Sequence, residues 1–139
     1  MAEHELFPHP ADQGIRGYGS TLEQAFQEIA KALEKVMVDT ETIENKLQHE
    51  VEVKGEDQES LLIQWLNELL ILFDTEKTIY KDFEVEINKE KNKLKGIAKG
   101  EKYDPEKHGP GEIVKAITYN ELKIEKKGDR WMVQCVVDL

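Results

Sequence analysis

Two segments of the chain repeat their apolar residues at the spacing of an α-helix, whereas the other apolar segments alternate at every second residue. The helical segments cover roughly residues 21–37 and 58–74. Each has one broad apolar stripe, which is typical of a helix that packs on a sheet. The sequence therefore predicts an α+β fold, in which two helices cover an antiparallel or mixed β-sheet.

Both helical segments begin with residues that are suited to cap a helix. Ser20 followed three residues later by Glu23 matches a capping box for the first helix. For the second helix, either Asp57 or Ser60 is a suitable cap. These positions predict where the two helices start.

Apolar and polar residues alternate in the remaining segments, and this pattern predicts half-buried strands. The strands are expected around residues 2–8, 14–19, 51–53, 83–87, 94–98, 122–124 and 131–137. The connections 88–92 and 126–129 are polar and short enough for hairpins, so the strands that they join should be antiparallel. Since 139 residues suit one domain and no linker or repeat is visible, we expect a single domain over 1–139.

The charge of the chain argues against direct, strong binding to nucleic acid. Twenty-nine acidic residues against nineteen basic ones give a formal net charge of -10. Binding to a phosphate backbone depends on cations that displace counterions, which an acidic chain lacks. Any role in nucleic-acid chemistry is therefore expected to pass through a basic protein partner.

The single cysteine and the absence of a long apolar run bear on the location of the protein. Cys135 cannot form a disulfide or a cysteine metal site within one chain, which suits a reducing cytoplasm. No segment has the length needed to cross a bilayer, and the first residues do not resemble a targeting signal. A cytoplasmic protein without a membrane partner is expected.

The stretch HPADQGIRGYGS, residues 9–20, places a histidine and an aspartate before three glycines. The glycine spacing matches neither GxGxxG nor a Walker loop, so a phosphate site is not indicated. Gly17 and Gly19 instead favour close backbone approach or a bulge. Asp12 has two readings that the residues leave open, because its carboxylate can cap a turn or bind a ligand.

The last two residues are a possible source of oxygen ligands. Trp131, Val133, Cys135 and Val137 share one face of the last strand, so Asp138 points to the other face. Leu139 adds a terminal carboxylate beside it. Such groups suit a hard cation such as Ca²⁺ or Mg²⁺, although a solvent-exposed end is the alternative.

Further candidate functional residues lie on and around the irregular stretch 103–112. The length of this stretch is typical of a functional loop. Lys115 follows this loop and precedes a strand, and an exposed lysine without a role is the alternative reading. His9, Glu101, Asp104 and His108 could join a metal site, but they lack the spacing of a known ligand motif. Cys135 is expected to be a packed thiol, and no nucleophilic triad is apparent.

Several motifs in order resemble one family across essentially the whole chain. They are His9, Ala11, Asp12, Gly14 and Ile15; the Ser-Thr-Leu-Glu-x-Ala-Phe stretch at 20–26; Leu61-Leu62-x-x-Trp65-Leu66-Asn67-Glu68-Leu69-Leu70; Gly100-Glu101; Lys115-Ala116-x-Thr118-Tyr119; and Trp131-x-Val133 in a strand that ends at Asp138. This ordered set resembles the archease family. Pro10, Gln13 and Asn120 depart from the family pattern, which has threonine, an apolar residue and often histidine there.

The resemblance implies a small accessory protein, not an enzyme in its own right. Archeases assist the GTP-dependent RNA ligase of tRNA splicing, promote guanylylation of its active-site histidine and restore it between turnovers. A role as chaperone or specificity factor for a tRNA cytosine-5 methyltransferase is the alternative. A metal-dependent hydrolase that uses Asp12, His9, His108 and Asp138 is a third possibility.

The resemblance also implies the site. The family's Ca²⁺ site corresponds here to Asp12, Asp138 and Leu139, and another divalent cation is possible. Lys115 matches a lysine of the surrounding functional surface, to which His9, Glu101 and His108 are further candidates.

Overall fold

The computed structural model describes residues 2–9 and 12–139, and its strands and helices follow one another along the chain in mixed order. The elements are β1 (Glu3–His9), β2 (Asp12–Gly19), α1 (Leu22–Met37), a 3₁₀ turn (Thr40–Thr42), β3 (Leu47–Lys54), α2 (Gln58–Glu76), β4 (Thr78–Asn88), β5 (Lys93–Lys102), α3 (Pro105–His108), β6 (Ala116–Lys127) and β7 (Arg130–Asp138).

The strands form two antiparallel sheets. The four-stranded sheet has the order β1-β2-β7-β6, and the three-stranded sheet has the order β3-β5-β4. Both expected hairpins are present, because β4 pairs with β5 and β6 pairs with β7. The predicted α+β class is confirmed, with the strands divided between two sheets and with a short additional helix, α3, in the loop before β6.

The N-cap of the first helix lies one residue later than predicted. Thr21 is the N-cap, and its side chain accepts a hydrogen bond from the N–H of Gln24 at 3.0 Å. Gln24 Oε1 in turn accepts from the N–H of Ser20 at 2.7 Å. The expected Ser20–Glu23 box is therefore wrong by one residue, because Gln24 and not Glu23 supplies the returning oxygen.

The second helix has the predicted cap. Asp57 accepts a hydrogen bond from the N–H of Ser60 at 2.8 Å, and the Ser60 hydroxyl oxygen accepts one from the N–H of Asp57 at 3.1 Å. Leu61, Trp65 and Leu69 of this helix are buried. Within residues 2–9 and 12–139, no helix has both the length and the apolar character needed to span a membrane.

Gly17 brings α1 directly onto the four-stranded sheet. A Cβ atom at Gly17 would lie 2.4 Å from the Ile29 nitrogen and 2.5 Å from the Ala25 carbonyl oxygen. Only a residue without a side chain permits this approach. The expected close backbone contact at Gly17 is confirmed, and it holds Phe26 and Ile29 in a core where both are fully buried.

α1 also contacts the three-stranded sheet through a carboxyl group. Glu34 is 1 % exposed, and its Oε1 accepts a hydrogen bond from the N–H of Tyr80 at 2.9 Å. Tyr80 precedes an irregularity in β4, where the pairing with β5 shifts before Asp82. Burial raises the pKa of Glu34 to about 8, although the bond from Tyr80 acts in the opposite direction.

Candidate functional site

One row of paired residues crosses the end of the four-stranded sheet. His9 of β1 pairs with Asp12 of β2, Asp12 pairs with Asp138 of β7, and Asp138 pairs with Ala116 of β6. We call His9, Asp12, Asp138 and Ala116 the terminal row. Three parts of the stretch HPADQGIRGYGS lie outside the described part of the chain. They are Pro10, Ala11 and the side chain of His9. The terminal row brings two of the predicted ligands, Asp12 and Asp138, to directly opposed positions.

Asp12 and Asp138 form a pair of carboxylates on one face of the sheet. Opposed residues of antiparallel strands hold their Cβ atoms about 4.5–5.5 Å apart. Both residues are half-buried, so solvent screens their charges less than it would at a fully exposed site. Two like charges in these positions repel each other unless a cation or a hydrogen-bond donor offsets the repulsion. The chemistry of the pair thus suits a hard divalent cation, whose preferred ligands are oxygens.

A metal ion at this pair would need further oxygen ligands. Within residues 2–9 and 12–139, no three side chains of His, Cys, Asp or Glu group closely enough to hold a metal ion. Leu139 follows Asp138 directly, and its half-buried side chain packs against the core. A carboxylate or a carbonyl oxygen of the main chain at this position is the kind of ligand that would complete the set.

Lys115 lies next to the terminal row. Its main-chain N–H donates a hydrogen bond to the carbonyl oxygen of Asp138 at 2.8 Å. The residue is exposed and precedes the first residue of β6, as predicted from its place between the loop and a strand. The structure therefore brings Lys115, Asp138 and Asp12 together.

β7 carries both buried apolar residues and Asp138, which is a predicted metal-binding residue. Val133, Cys135 and Val137 are fully buried, whereas Asp138 at the end of the strand is half-buried. Burial raises the pKa of the Cys135 thiol to about 12. Cys135 is therefore a packed thiol, as expected.

An irregularity in β6 lies beside this site, and nothing in the sequence indicates it. The pairing of β6 with β7 shifts between Thr118 and Lys123, and Glu121 has a φ of 52°. Gln134 Nε2 donates to the carbonyl oxygen of Glu121 at 2.9 Å and so holds the displaced backbone. As a result Tyr119 is 59 % exposed, although it is within a strand. No glycine or proline marks the position, and the alternating pattern is too short there to reveal the shift.

Glu101 and His108 form a separate cluster, on the side of the three-stranded sheet. His108 Nδ1 accepts a hydrogen bond from the N–H of Asp104 at 2.9 Å, so its Nε2 carries the hydrogen and donates to Glu101 Oε2 at 3.0 Å. The N–H of Glu44 also donates to Glu101 Oε2, at 2.7 Å. Lys107 Nζ donates to Glu101 Oε1 at 3.0 Å. The carboxylate is thus fully engaged by its neighbours.

The electrostatics of this cluster indicate a structural role. Burial alone would raise the pKa of the Glu101 carboxyl group, which is 6 % exposed. The hydrogen bonds from Lys107, from the main chain of Glu44 and from His108 outweigh burial and hold the pKa at about 2. The structure places Glu101 and His108, which is 2 % exposed, in the interior and not on the exposed surface where they were expected.

Hydrogen bonds of Tyr103 and Glu112 fix the loop that leads to Lys115. The Tyr103 hydroxyl donates to the carbonyl oxygen of Gly109 at 2.6 Å and accepts from the N–H of Gly111 at 2.8 Å. The N–H of Glu112 then donates to the carbonyl oxygen of Met37 at 2.9 Å. The stretch 103–112 is therefore tied to the body of the protein at several points, and Ile113 emerges from it at a defined place.

Comparisons with known proteins place these features in a family. The model of the Archease protein family (MTH1598/TM1083) matches residues 4–139. The chain is 54 % identical to the protein archease of Pyrococcus abyssi and 52 % identical to that of Pyrococcus furiosus, and each comparison covers all of both chains.

Two solved structures are similar to the fold. Protein 1598 of Methanobacterium thermoautotrophicum is 36 % identical, with a TM-score of 0.85 over 98 % of each chain. A Thermotoga maritima protein described as an archease and possible chaperone is 19 % identical, with a TM-score of 0.57 over 97 % of this chain and 96 % of its own. The second similarity shows the fold alone.

Proposed function

The chain belongs to the archease family, and on that premise we propose that it is a metal-binding accessory protein that activates the GTP-dependent RNA ligase of tRNA splicing. It acts by promoting guanylylation of the ligase and its multiple turnover, and has no catalytic activity of its own. The observation that carries the proposal is the direct pairing of Asp12 with Asp138 beside Lys115. This arrangement places two carboxylates side by side at one end of the sheet, with the main chain of Lys115 next to Asp138.

Each of these residues has a distinct task in the proposal. Asp12, Asp138 and a main-chain oxygen of Leu139 would hold Ca²⁺ or another divalent cation. A cation held by Asp12 and Asp138 would supply positive charge that offsets the repulsion between the two carboxylates and favours phosphate oxygens nearby. Lys115 contacts a phosphate or an acidic group of the ligase from the adjacent position. Asp138 positions Lys115, because its carbonyl oxygen accepts the Lys115 N–H.

The charge of the chain supports a protein partner over direct contact with RNA. With a formal net charge of -10, the protein repels a phosphate backbone and attracts a basic protein surface. In the proposal the ligase is this protein partner, and the RNA is reached through the ligase. A reducing cytoplasm suits this role, since the single cysteine, Cys135, is a buried thiol.

The proposal is tested by multiple-turnover ligation of a cleaved tRNA by the cognate ligase, with GTP and divalent metal. We expect the wild-type protein to stimulate turnover, and both Asp12→Ala and Lys115→Ala to lose most of the stimulation. Asp129→Ala and Lys91→Ala are the matched controls, because both residues are exposed in turns away from the terminal row. Full stimulation by Asp12→Ala would contradict a role for the carboxylate pair.

A chaperone for a tRNA cytosine-5 methyltransferase is the second candidate, because it is the alternative role that membership of the archease family implies. Such a protein would suppress aggregation of the methyltransferase and would not depend on Lys115. Light scattering of the heated methyltransferase, with wild-type protein and with Lys115→Ala, separates the two. The hydrolase alternative has less support, because His108 bonds to Glu101 and not to a member of the terminal row.

A further inference from the structure

A groove of about 520 Å³ lies between α2 and the segment 113–116 that leads into β6. Its walls are largely apolar and include Leu70 and Phe73. Ile71 is 49 % exposed on one wall and Ile113 is 74 % exposed on the other. Large apolar side chains are costly to leave in water, so two of them on one groove indicate a surface that is covered in use.

The groove is continuous with the terminal row. Lys115 and Ala116 line its end, and both also contact Asp138, the first by a main-chain hydrogen bond and the second by strand pairing. Ile113 is held in place because the N–H of the preceding residue, Glu112, donates to the carbonyl oxygen of Met37. The groove therefore ends at the segment that pairs with Asp138.

The charges around the groove are mostly negative. Asp74 lines it and is exposed, and Glu112 is exposed beside Ile113. Asp12 and Asp138 lie beyond its end, next to Lys115. Among the described lining residues, Lys115 is the one cation. The electrostatic complement of this surface is a basic one.

We propose that the groove receives a large apolar side chain from a segment of the partner protein that also carries basic residues. The apolar side chain fills the space between Ile71 and Ile113, and the basic residues face Asp74 and Glu112. The proposal rests on the proposed function, in that the partner is the ligase, and it names the surface that determines affinity. The terminal row and Lys115 determine stimulation, whereas the groove determines how tightly the two proteins associate.

Direct binding to the cognate ligase tests the proposal, with the full-length proteins in isothermal titration calorimetry. We expect Ile71→Glu and Ile113→Glu each to raise Kd about tenfold or more, because each places an unpaired charge in the apolar contact. Leu6→Glu is the control, since Leu6 is 37 % exposed on β1 and does not line the groove. Asp74→Lys should also raise Kd, by an amount that shrinks as salt is added.

The ligation assay separates this inference from the proposed function. Ile113→Glu should regain full stimulation at saturating concentration, because its terminal row and Lys115 are intact, whereas Asp12→Ala should not. Unchanged Kd for both isoleucine variants would overturn the groove alone. A wild-type protein that neither binds nor stimulates the ligase would overturn both proposals.

A second copy of the chain could fill the groove in place of the ligase. Sedimentation velocity of the protein alone tests this by measuring its oligomeric state. A dimer that becomes a monomer in Ile113→Glu would show that the groove serves self-association, and the inference would then be wrong. A monomer in wild type and variant supports it. Ile113 is exposed, so its substitution should leave the melting temperature nearly unchanged, and a folded Ile113→Glu protein makes the binding result interpretable.

Discussion

Glu34 of α1 meets the main-chain N–H of Tyr80 in β4 at 2.9 Å, inside the core. The bond engages Oε1, while Oε2 is buried and has no hydrogen-bond partner among the described residues. Burial raises the pKa of this carboxyl group from an ordinary value of 4.5 to about 8, so the group is protonated in the folded protein at neutral pH. In the unfolded chain it is ionised at that pH.

We predict that stability falls as pH rises through this window. Between about pH 4.5 and pH 8 the folded state binds a proton that the unfolded state has released. The free energy of unfolding therefore decreases with pH, by up to about 1.4 kcal/mol per pH unit from this group. Glu34→Gln should flatten the dependence measured by urea unfolding, and Glu90→Gln, an exposed control, should not. An equally steep profile in Glu34→Gln would assign the dependence to other groups.

Divalent cations should stabilise the protein through the carboxylate pair. With Ca²⁺ at a hundred times its Kd, binding to the folded state alone adds about 2.7 kcal/mol. For a chain of this size the melting temperature should rise by roughly 8 °C, as measured by scanning calorimetry against an EDTA-treated sample.

Asp12→Asn should abolish that rise, because one of the two carboxylates proposed to hold the cation is gone. Asp129→Asn keeps the pair and should respond to Ca²⁺ as the wild type does. A Ca²⁺ response that persists in Asp12→Asn would place the ion elsewhere.

Gly17→Ala should destabilise the protein strongly. The added methyl group would meet the backbone of α1 at Ile29 and Ala25, which cannot yield without moving the helix from the sheet. We expect a loss of about 2–3 kcal/mol in the free energy of unfolding, measured with urea. Gly128→Asn is the control, since no heavy atom of the described residues beyond its chain neighbours lies within 4 Å of the added Cβ, and asparagine tolerates its φ of 64°.

His108→Ala should loosen the loop that leads to Ile113 and Lys115. The change leaves the exposed Asp104 without the acceptor for its N–H and the buried Glu101 carboxylate without one donor, which together cost about 2 kcal/mol. Hydrogen exchange should become faster at the amide of Asp104. Lys46→Gln removes an exposed lysine 3.6 Å from Glu101 and should cost less than about 1 kcal/mol.

The helices and hairpins were predictable because they depend on local patterns. The periodicity places α1 and α2 within two residues of their observed ends, and the polar connections mark both hairpins. The division into two sheets was not predictable, because alternation tells which face of a strand is buried and not which strand lies beside it. The shift in β6 has no local signal for the same reason.

The candidate site was predictable only in part. Asp12 and Asp138 were identified from motif resemblance, and their pairing depends on β2 and β7 being neighbours. The burial of Glu101 and His108 follows from contacts with Glu44 and Lys107, which no spacing in the sequence reveals. The groove likewise combines α2 with a segment from much later in the chain.

The place of β7 between β2 and β6 has a consequence for biosynthesis. During translation β1 and β2 leave the ribosome early and can pair with each other. The other edge of β2 stays unpaired until β7 has been synthesised. A nascent chain interrupted before that strand has Asp12 without Asp138 and an open sheet edge that invites aggregation. The pair that we propose to bind a cation therefore exists only in molecules whose synthesis has passed β7.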